Sequence, residues 1–595
     1  MRNSNYLKKL FFFCFALLWA SSSWAHAEEQ TFYSISYHDV VDSRDQLTSD
    51  TVTIDTLINH FEWLKANDYH PISVDDLLAA QRGTKKLPAK AVLLSWDDGY
   101  VSFYTHVLPL LKAYKYPAVL ALVGEWLSAS PNERVEYGAT TLARSRFLSW
   151  EQIQEISASN LVELASHSYG LHKEIIADAY GSKIPAAIAH QYEVATGQKE
   201  TDKEMRQRIY DDLKKNSYLI AKYTGKKPRV MVWPFGNYNT LCQNVAADLG
   251  MKIALTLDDL PQANISQLNA VPRYYPVANP LTEILREEML VSQSQPLRRF
   301  IIAPTEEIID TTDPKEPLYS AFLDRDKSLK PSAVVLAPLV QTPRGKEALF
   351  TNQTYPLFLN KLTRLSWYTR ARTGVATVLS LDAPLFKADS PQKLTRLFSD
   401  MGKNSFVDGL IVENHAAVEE ILAGTTKPIK ITGNEIKRPW NPNSSRKFRQ
   451  QLLSKKPTNT LLRGVEAFQQ WQPFLDIGVI ISPAQMKERS LAKTASLLTY
   501  FDYIIIDART DEQQKCLKAW LARPESRPLF NYIAVLFSYD QESDNGERLA
   551  ERLLDLSGYG IKNWGYQIDS AVLAKPLLEK IRPAISVRNF PIIAR

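Results

Sequence analysis

Cysteine is scarce in this chain, which has three in 595 residues. Cys14 lies in an apolar N-terminal segment, and Cys242 and Cys516 are far apart in the sequence. A framework of disulfide bonds is therefore excluded. A metal site built from thiolates is excluded as well, because neither Cys242 nor Cys516 has a second cysteine nearby.

A large excess of charge of one sign is also absent. The net charge is +6, and Arg2, Lys8 and Lys9 supply half of it. The remaining 68 basic residues face 65 acidic ones, a balance too even for a protein that binds nucleic acid by neutralising phosphates. We therefore predict no DNA or RNA partner.

No apolar run is long enough to cross a bilayer, and the run at residues 10–20 has the features of an export signal. It follows a basic start and precedes the small-x-small sequence Ala25-His26-Ala27, which predicts cleavage near Ala27. A short membrane anchor is the alternative, disfavoured because charged residues follow at once. Cys14 lies inside the run, so it does not fit a lipoprotein signal. We expect an exported, soluble, periplasmic protein.

The composition, 45% hydrophobic and 23% charged, is that of a globular protein with two or three domains. From about residue 30 to 290, short β-rich runs alternate with helical patterns, as in the strand at 32–37, the helix at 56–67 and the buried strand at 91–95. This rhythm predicts an α/β domain whose parallel sheet is closed or nearly closed into a barrel. The polar stretch at 173–210 is interpreted as an insertion, which either shapes a substrate cleft or is a passive surface excursion.

A second β/α series predicts a C-terminal (β/α)8 barrel. Its eight candidate strands are at residues 333–337, 375–380, 409–412, 429–432, 477–482, 503–507, 532–537 and 562–566. The predicted organisation is a signal peptide at 1–27, a first domain at 28–290, a linker at 291–317 and a second domain at 318–595.

Two adjacent carboxylates, Asp97 and Asp98, follow the apolar strand at 91–94 and precede Gly99. Barrel enzymes place their active sites at the carboxyl ends of the strands. Neighbouring side chains point in different directions there, so one carboxylate can bind a metal while the other faces the substrate. A simple Asp-Asp-Gly turn is the alternative explanation.

Two histidines, His167 and His172, follow another apolar strand at 161–164, with Gly170 between them to let the chain turn. Two imidazoles and one carboxylate can hold a divalent metal and leave coordination positions open. The sequence therefore predicts a metal site, for which Zn, Ni, Co and Fe are all suitable. Isolated histidines would more often be structural, but these two share a domain with the Asp pair.

Two further strand ends carry candidate residues. The strand at 230–232 ends in Trp233-Pro234-Phe235-Gly236, which is typical of a rigid apolar wall. The first strand ends at His38, which would be interpreted as a surface histidine in the absence of the other motifs.

Together, the motifs at 95–99, His167/His172 and 233–236 resemble the polysaccharide deacetylases of carbohydrate esterase family four. In most of that family the catalytic histidine motif comes late in the chain, whereas His38 precedes the Asp pair here. This circularly permuted order, the histidine spacing and the second α/β domain resemble one subfamily. Its members deacetylate poly-β-1,6-N-acetyl-D-glucosamine in the periplasm of bacteria that export biofilm polysaccharide.

The resemblance implies that Asp98, His167 and His172 bind one divalent metal ion. It also implies that Asp97 is the general base and His38 the general acid that protonates the departing amine. These roles suit the chemistry, because an amide is a poor electrophile that a metal can polarise and the leaving amine needs a proton.

Further roles follow from the same resemblance. Trp233, Pro234 and Phe235 would wall the acetyl pocket, and Asp258 or Asp259 is a candidate to orient His38, with turn formation as the alternative. The implied partners are the β-1,6-linked polymer and an outer-membrane export protein, and the protein would be periplasmic with a possible association with the outer membrane.

In that subfamily the second domain binds the partly deacetylated glycan and in some members cleaves it. Glycoside cleavage needs two suitably spaced carboxyl groups. The stretch expected at the first strand of the domain, residues 301–305, supplies no carboxylate, and the strand that should end in an acidic pair ends in Glu413. Asp382 and Asp507 are the other candidates at the same rim. We expect this barrel to hold glycan without cleaving it, with a bifunctional deacetylase and glycoside hydrolase as the alternative.

Two rival functions remain open. One is a non-haem iron oxygenase that uses the two histidines and a carboxylate, which the presence of Asp97 and His38 disfavours. The other is a glycan-binding export scaffold with weak or vestigial catalysis, which the complete ligand set of the first domain disfavours.

Overall fold

The computed structural model describes residues 30–258, 262–291, 297–382, 390–413, 415–424, 431–432, 435–436, 460–487, 490–539, 546–568, 582 and 584–587. The predicted signal peptide with its cleavage site near Ala27 lies outside the described residues, as does Asp259. Within these ranges we find no helix with both the length and the apolar character needed to cross a membrane.

The first domain is built on one eight-stranded sheet. Its strands are β1 Thr31–Tyr37, β2 His70–Pro71, β3 Ala91–Trp96, β4 Ala118–Leu122, β5 Val162–Ser166, β6 Val230–Val232, β7 Ile253–Leu255 and β8 Ala263–Asn264. The order is β7-β6-β5-β4-β3-β1-β8, with β2 beside β3. All pairs are parallel except β1 with β8. Every residue of β3 is buried, as expected for a central parallel strand.

The sheet is nearly closed by the segment at residues 271–274. Val271 forms a bridge with Leu255 of β7, and Tyr274 forms one with Ile35 of β1. The segment therefore lies between the two strands that begin and end the parallel array. The prediction of a barrel-like first domain is confirmed.

Helices cover the sheet of the first domain. They are α1 Ile54–Ala66, α2 Val74–Gln81, α3 Leu108–Tyr114, α4 Gly124–Ser128, α5 Trp150–Ala158, α6 Asp202–Thr224, α7 Thr240–Asp248 and α8 Thr282–Val291. The longest, α6, begins with a capping box in which Thr201 and Glu204 satisfy each other's backbone N–H groups. It ends at Gly225, whose φ of 73° is the left-handed conformation that glycine adopts readily.

The polar stretch before α6 contacts the second domain. It forms two hairpins, Glu174–Ile176 with Lys183–Pro185 and Tyr192–Glu193 with Gln198–Lys199. Phe406 of the second domain joins an apolar cluster with Ile184 and Ile188. The Lys199 ammonium donates to the side-chain oxygen of Asn404 over 2.9 Å. The insertion is therefore more than a solvated excursion, because part of it is buried between the domains.

The second domain is a closed barrel of eight parallel strands, which confirms the predicted fold class. The strands are β9 Arg299–Ile302, β10 Ala333–Leu336, β11 Ala376–Asp382, β12 Gly409–Glu413, β13 Asp476–Ile481, β14 Tyr503–Asp507, β15 Ile533–Tyr539 and β16 Asn563–Ile568. Its helices are α9 Pro317–Leu329, α10 Leu362–Thr373, α11 Pro391–Lys403, α12 His415–Gly424, α13 Thr460–Gln469, α14 Pro483–Lys487, α15 Leu491–Ala495, α16 Asp511–Leu521 and α17 Gly546–Gly558.

One of the predicted barrel strands is wrong. The segment at 429–432 does not supply a barrel strand, because Ile431–Thr432 pairs with Glu435–Ile436 in a separate antiparallel ladder. The missing strand is β9, which lies in the segment predicted as a linker. Arg298 and Arg299 are both buried at its start, and Arg298 forms an ion pair with Asp476.

A buried histidine of α1 links this helix to β1. His60 Nε2 lies 3.1 Å from the Pro280 carbonyl oxygen, and Nδ1 lies 3.1 Å from the Tyr37 hydroxyl. Because a carbonyl only accepts, Nε2 carries the proton and Nδ1 accepts from Tyr37. The ring is thus satisfied in its neutral form, and burial lowers the pKa of His60 to about 4.

We expect the His60 side chain to make the folded protein sensitive to acid. An unfolded histidine takes up a proton near pH 6.5, whereas folded His60 does so only near pH 4, so stability is full above pH 6.5 and is lost as the pH falls. Between pH 7 and 5 this group alone lowers the free energy of unfolding by about 2 kcal/mol. Urea unfolding of the parent and of His60→Asn at both pH values measures the difference. An equal loss of stability in both proteins would contradict the assignment.

Candidate metal centre and active site

Asp98, His167 and His172 meet at the carboxyl ends of β3 and β5. One ligand atom from each lies within 4.8 Å of the others. The Nε2 atoms of His167 and His172 are 3.4 and 3.5 Å from Asp98 Oδ1. This oxygen is buried and has no hydrogen-bond partner among the described residues. A buried, unsatisfied carboxylate oxygen facing two imidazole nitrogens fits a divalent metal ion.

The backbone turns sharply beside these ligands. Asp98 and Ser168 have φ angles of 75° and 69°, in the left-handed region that residues other than glycine rarely adopt. Gly99 follows at 73°, and a Cβ there would lie 3.1 Å from Leu122. Backbone strain of this kind is common where a functional site is held in one geometry.

The protonation states suit metal binding. The His167 Nδ1–H donates to the Val232 carbonyl over 2.8 Å, which leaves Nε2 with a free lone pair. Burial lowers the pKa of His172 to about 4 and keeps this imidazole neutral at physiological pH. Burial opposes ionisation of Asp98, but His172 and His167 hold the pKa of its carboxyl below the usual range. His172 is thus a neutral imidazole and Asp98 a carboxylate, the forms in which such residues bind metals. Burial opposes protonation of His167, but Asp98 and Asp97 raise the pKa of its imidazole above the ordinary value, so metal binding would displace a proton there.

Tyr137 is a residue of this site that the sequence did not reveal. It ends the strand Arg134–Tyr137 of a hairpin, and its hydroxyl donates to Asp98 Oδ2 over 2.9 Å. This bond occupies one carboxylate oxygen and leaves Oδ1 for the metal. An interaction of this kind orients a metal ligand. No local signal in the sequence links Tyr137 to Asp98.

Asp97 is held by Arg273, the second residue that the sequence did not reveal. The guanidinium donates to both carboxylate oxygens, over 2.8 and 2.9 Å, and both side chains are almost fully buried. Arg273 lies in the segment at 271–274 that closes the sheet, directly before the bridge residue Tyr274. Burial would raise the pKa of Asp97, but Arg273, with help from His167, holds it below the ordinary value. A cation inside a predominantly apolar stretch was the available sequence signal.

His38 lies just after β1, as predicted. Its Nδ1 is buried and has no hydrogen-bond partner among the described residues. The ring centre is 4.6 Å from that of Tyr275, whose hydroxyl donates to Asp50 over 2.6 Å. The carboxylate of Asp258 accepts from the Tyr238 hydroxyl over 2.6 Å. A role for Asp258 in orienting His38 therefore stays a prediction.

The three residues predicted to wall the acetyl pocket differ in position. Phe235 is 41% exposed, and its ring centre lies 4.5 Å from that of His172. Its φ of 57° places it in the left-handed region. Trp233 and Pro234 are buried, and Trp233 belongs to an apolar core cluster with Met231. Phe235 is therefore the exposed aromatic surface next to the metal ligands.

The candidate residues of the second domain lie at strand ends of its barrel. Asp382 and Glu413 are neighbours in the register of β11 and β12. Arg509 binds both Asp507, over 2.9 Å, and Glu413, over 2.5 Å, and also donates to Gln567 over 2.7 Å. The structure thus brings Glu413 and Asp507 together through a shared arginine, while Asp382 lies 3.4 Å from Lys346.

The fold is a nearly closed α/β barrel in which two histidines and one carboxylate converge in an arrangement that could hold a metal ion. Residues 84–254 match the family model described as polysaccharide deacetylase. The matched region contains Asp97, Asp98, His167 and His172, whereas His38 precedes it. The first domain therefore belongs to the polysaccharide deacetylase family.

Individual relatives are similar to different parts of the chain. A poly-beta-1,6-N-acetyl-D-glucosamine N-deacetylase of Escherichia coli K12 is 33% identical over 386 residues, which is 64% of this chain and 56% of that protein. The chain thus spans about half the length of the curated relatives it matches first. A solved de-N-acetylase from Aggregatibacter actinomycetemcomitans is 35% identical and covers 44% of this chain and all of that one, with a TM-score of 0.42. A glycoside hydrolase domain from Bordetella bronchiseptica is 15% identical and covers 49% of this chain and 99% of that one, with a TM-score of 0.36.

Proposed function

We propose that this protein is a metal-dependent N-deacetylase of poly-β-1,6-N-acetyl-D-glucosamine. The convergence of Asp98, His167 and His172 beside the buried base Asp97 carries the proposal. The substrate is supported by the 33% identity to the Escherichia coli enzyme of that name. A divalent metal held by these ligands would supply a Lewis acid that polarises the amide carbonyl.

The roles of the other residues follow from their surroundings. Arg273 keeps Asp97 ionised, so Asp97 can accept the proton of the attacking water. His38 lies on the neighbouring strand end, from which it protonates the departing amine. Phe235 offers an exposed apolar surface beside His172 to the acetyl group or the sugar ring.

The second domain, in this proposal, binds the deacetylated glycan without cleaving it. A glycosidase needs one carboxyl that stays protonated and a second one that is ionised. Burial opposes ionisation of Asp507, but Arg509 holds the pKa of Asp507 below its usual value, which does not suit a general acid. Because the same guanidinium also binds Glu413, both carboxyl groups are kept in ion pairs.

Deacetylation would change how the polymer behaves in the periplasm. Each amine that is released becomes a cation at neutral pH, which alters the adhesion of the polymer and its passage through an export pore. We propose that the protein acts in the periplasm, with an outer-membrane export protein as partner and biofilm formation as the result. Zn, Ni, Co and Fe are the candidate metals, because all four accept imidazole and carboxylate ligands.

The direct test is to incubate residues 28–595 with acetylated β-1,6-glucosamine oligomers, with a divalent metal or with a chelator. Free amines and chain length are measured in the same sample. We expect the parent to release amines when metal is present. We expect no amine release with chelator or from Asp98→Ala, and no change in the length of the oligomers. The exposed Asp248→Ala change is the matched control and should keep parent activity.

Other outcomes would separate the alternatives. Shortening of the oligomers, if it is also seen with pre-deacetylated oligomers and disappears in Glu413→Gln, would show that the second domain hydrolyses glycan. If the parent and the variants bind the polymer but none releases amine, the result would favour an export scaffold over an enzyme.

A further inference from the structure

The loop that carries both histidine ligands is fixed from one side by α4. The backbone carbonyls of Ser168 and Tyr169 accept from the N–H groups of Gly124 and Glu125, over 3.1 and 2.8 Å. These donors are the first two residues of α4, whose N–H groups have no partner within the helix.

Asp212 of α6 fixes the same loop from the other side. Its Oδ1 accepts from the Tyr169 N–H over 2.8 Å, and its Oδ2 accepts from the Gly170 N–H over 2.7 Å. Bonds from backbone N–H groups to a carboxylate are charge-assisted and stronger than neutral ones. Both donors lie between His167 and His172, so Asp212 holds the turn that separates the two ligands.

His172 depends on this loop more than His167 does. The His167 ring is fixed by its own bond to the Val232 carbonyl, whereas Nδ1 of His172 is buried without a hydrogen-bond partner in the described part of the chain. The His172 ring is in contact with the aromatic rings of Trp126 and Phe235, whose centres lie 4.9 and 4.5 Å away. The position of Nε2 of His172 therefore follows from the backbone that Asp212 holds.

The carboxyl group of Asp212 is held mainly by the two backbone N–H groups. Burial raises the pKa of its carboxyl to about 6, and Glu125 acts in the same direction, although the two N–H groups and Lys173 oppose them. Within the described ranges, no cationic side chain lies within ion-pair distance of Asp212. Only a carboxylate offers two equivalent acceptors for two adjacent N–H groups, since an amide side chain offers one oxygen.

We propose that Asp212 is a positioning residue that sets the metal affinity of the site by holding the loop before His172. This inference rests on the proposed metal-dependent function, because it concerns the same ligands. Removing a residue that orients a metal ligand typically weakens metal binding about 10- to 100-fold.

The test is a cobalt titration of the metal-free full chain, followed by the visible absorption of bound Co²⁺. Asp212→Asn keeps the size of the side chain and loses one acceptor, so we expect Co²⁺ to bind about 10- to 100-fold more weakly, with a changed absorption spectrum. Asp211→Asn is the matched control, because the neighbouring Asp211 is exposed and accepts from Gln207 instead. Asp98→Ala should bind no cobalt at this site.

Several outcomes would overturn the inference. A folded Asp212→Asn protein that binds Co²⁺ with the affinity and the absorption spectrum of the parent would contradict it. If this variant does not fold, hydrogen exchange in the parent decides, because fast exchange of the Tyr169 and Gly170 amides would show that Asp212 does not hold them. A parent that binds no cobalt would overturn the metal site and this inference together, whereas normal cobalt binding without amine release would overturn the proposed activity alone.

Discussion

Replacing Asp97 by asparagine should lower the rate of amine release by about a thousandfold, within the range that a general base contributes. The asparagine side chain keeps the shape of the aspartate but cannot take a proton from the attacking water. Because Asp97 is not among the three groups that converge on the metal position, metal binding should persist. Amine release by the parent and Asp97→Asn, each at saturating metal, is the measurement.

The matched control is Asp98→Ala, one position later in the chain. This change removes a ligand, so it should abolish both metal binding and amine release. The two variants therefore distinguish the role of a general base from that of a metal ligand, although Asp97 and Asp98 are adjacent in the sequence. If Asp97→Asn retained the parent rate, another group would have to be the base, and the roles taken from the family motif would be wrong for this position.

The convergence of the three candidate metal ligands could be predicted from the sequence because each follows a strand of the parallel sheet. Parallel strands bring their carboxyl ends to one edge, so residues after β3 and β5 had to meet there. This rule and the chemistry of metal ligands placed the Asp pair near His167 and His172, whereas the choice of Asp98 over Asp97 as a ligand came from the resemblance to the family. β3 is a short, almost wholly apolar run, and β5 carries one charged residue, Glu163, in an otherwise mostly apolar run.

The residues that support the ligands could not be found in this way. Arg273 is 176 positions from Asp97, and it reaches Asp97 because the segment at 271–274 completes the barrel. Tyr137 comes from a hairpin outside the main sheet, and Asp212 from a helix that follows an insertion. These contacts depend on tertiary packing between distant segments, for which a single sequence carries no local pattern.

In the second domain, the position of the acidic residues at one end of the barrel could be predicted, but their ion pairs could not. Glu413 and Asp507 end parallel strands of one barrel, so their common edge followed from the strand pattern. Arg509 stands two residues after Asp507, yet nothing in the sequence shows that its guanidinium reaches Glu413 as well. Although burial opposes ionisation of Asp507, the shared arginine holds Glu413 and Asp507 in ion pairs and lowers the pKa of Asp507, whereas a general acid needs a raised one.

Arg273→Ala should destabilise the first domain by about 3–5 kcal/mol, the usual effect of removing one partner from a buried ion pair. Asp97 would remain buried without a cation, because the side chains of Asp97 and Arg273 are only 3% and 0% exposed. Arg273→Lys should have an intermediate effect, since an ammonium keeps the charge but cannot bind both carboxylate oxygens as a fork. Urea unfolding at neutral pH measures these differences.

The double variant Asp97→Asn/Arg273→Ala distinguishes a charge pair from ordinary packing. Each single change leaves one buried charge without its partner, whereas the double variant leaves none. We therefore expect the double variant to lose less stability than the sum of the two single variants. Strict additivity would mean that Arg273 contributes by filling space. It would also remove the reason to regard Arg273 as the group that keeps the base of this site ionised in a buried environment.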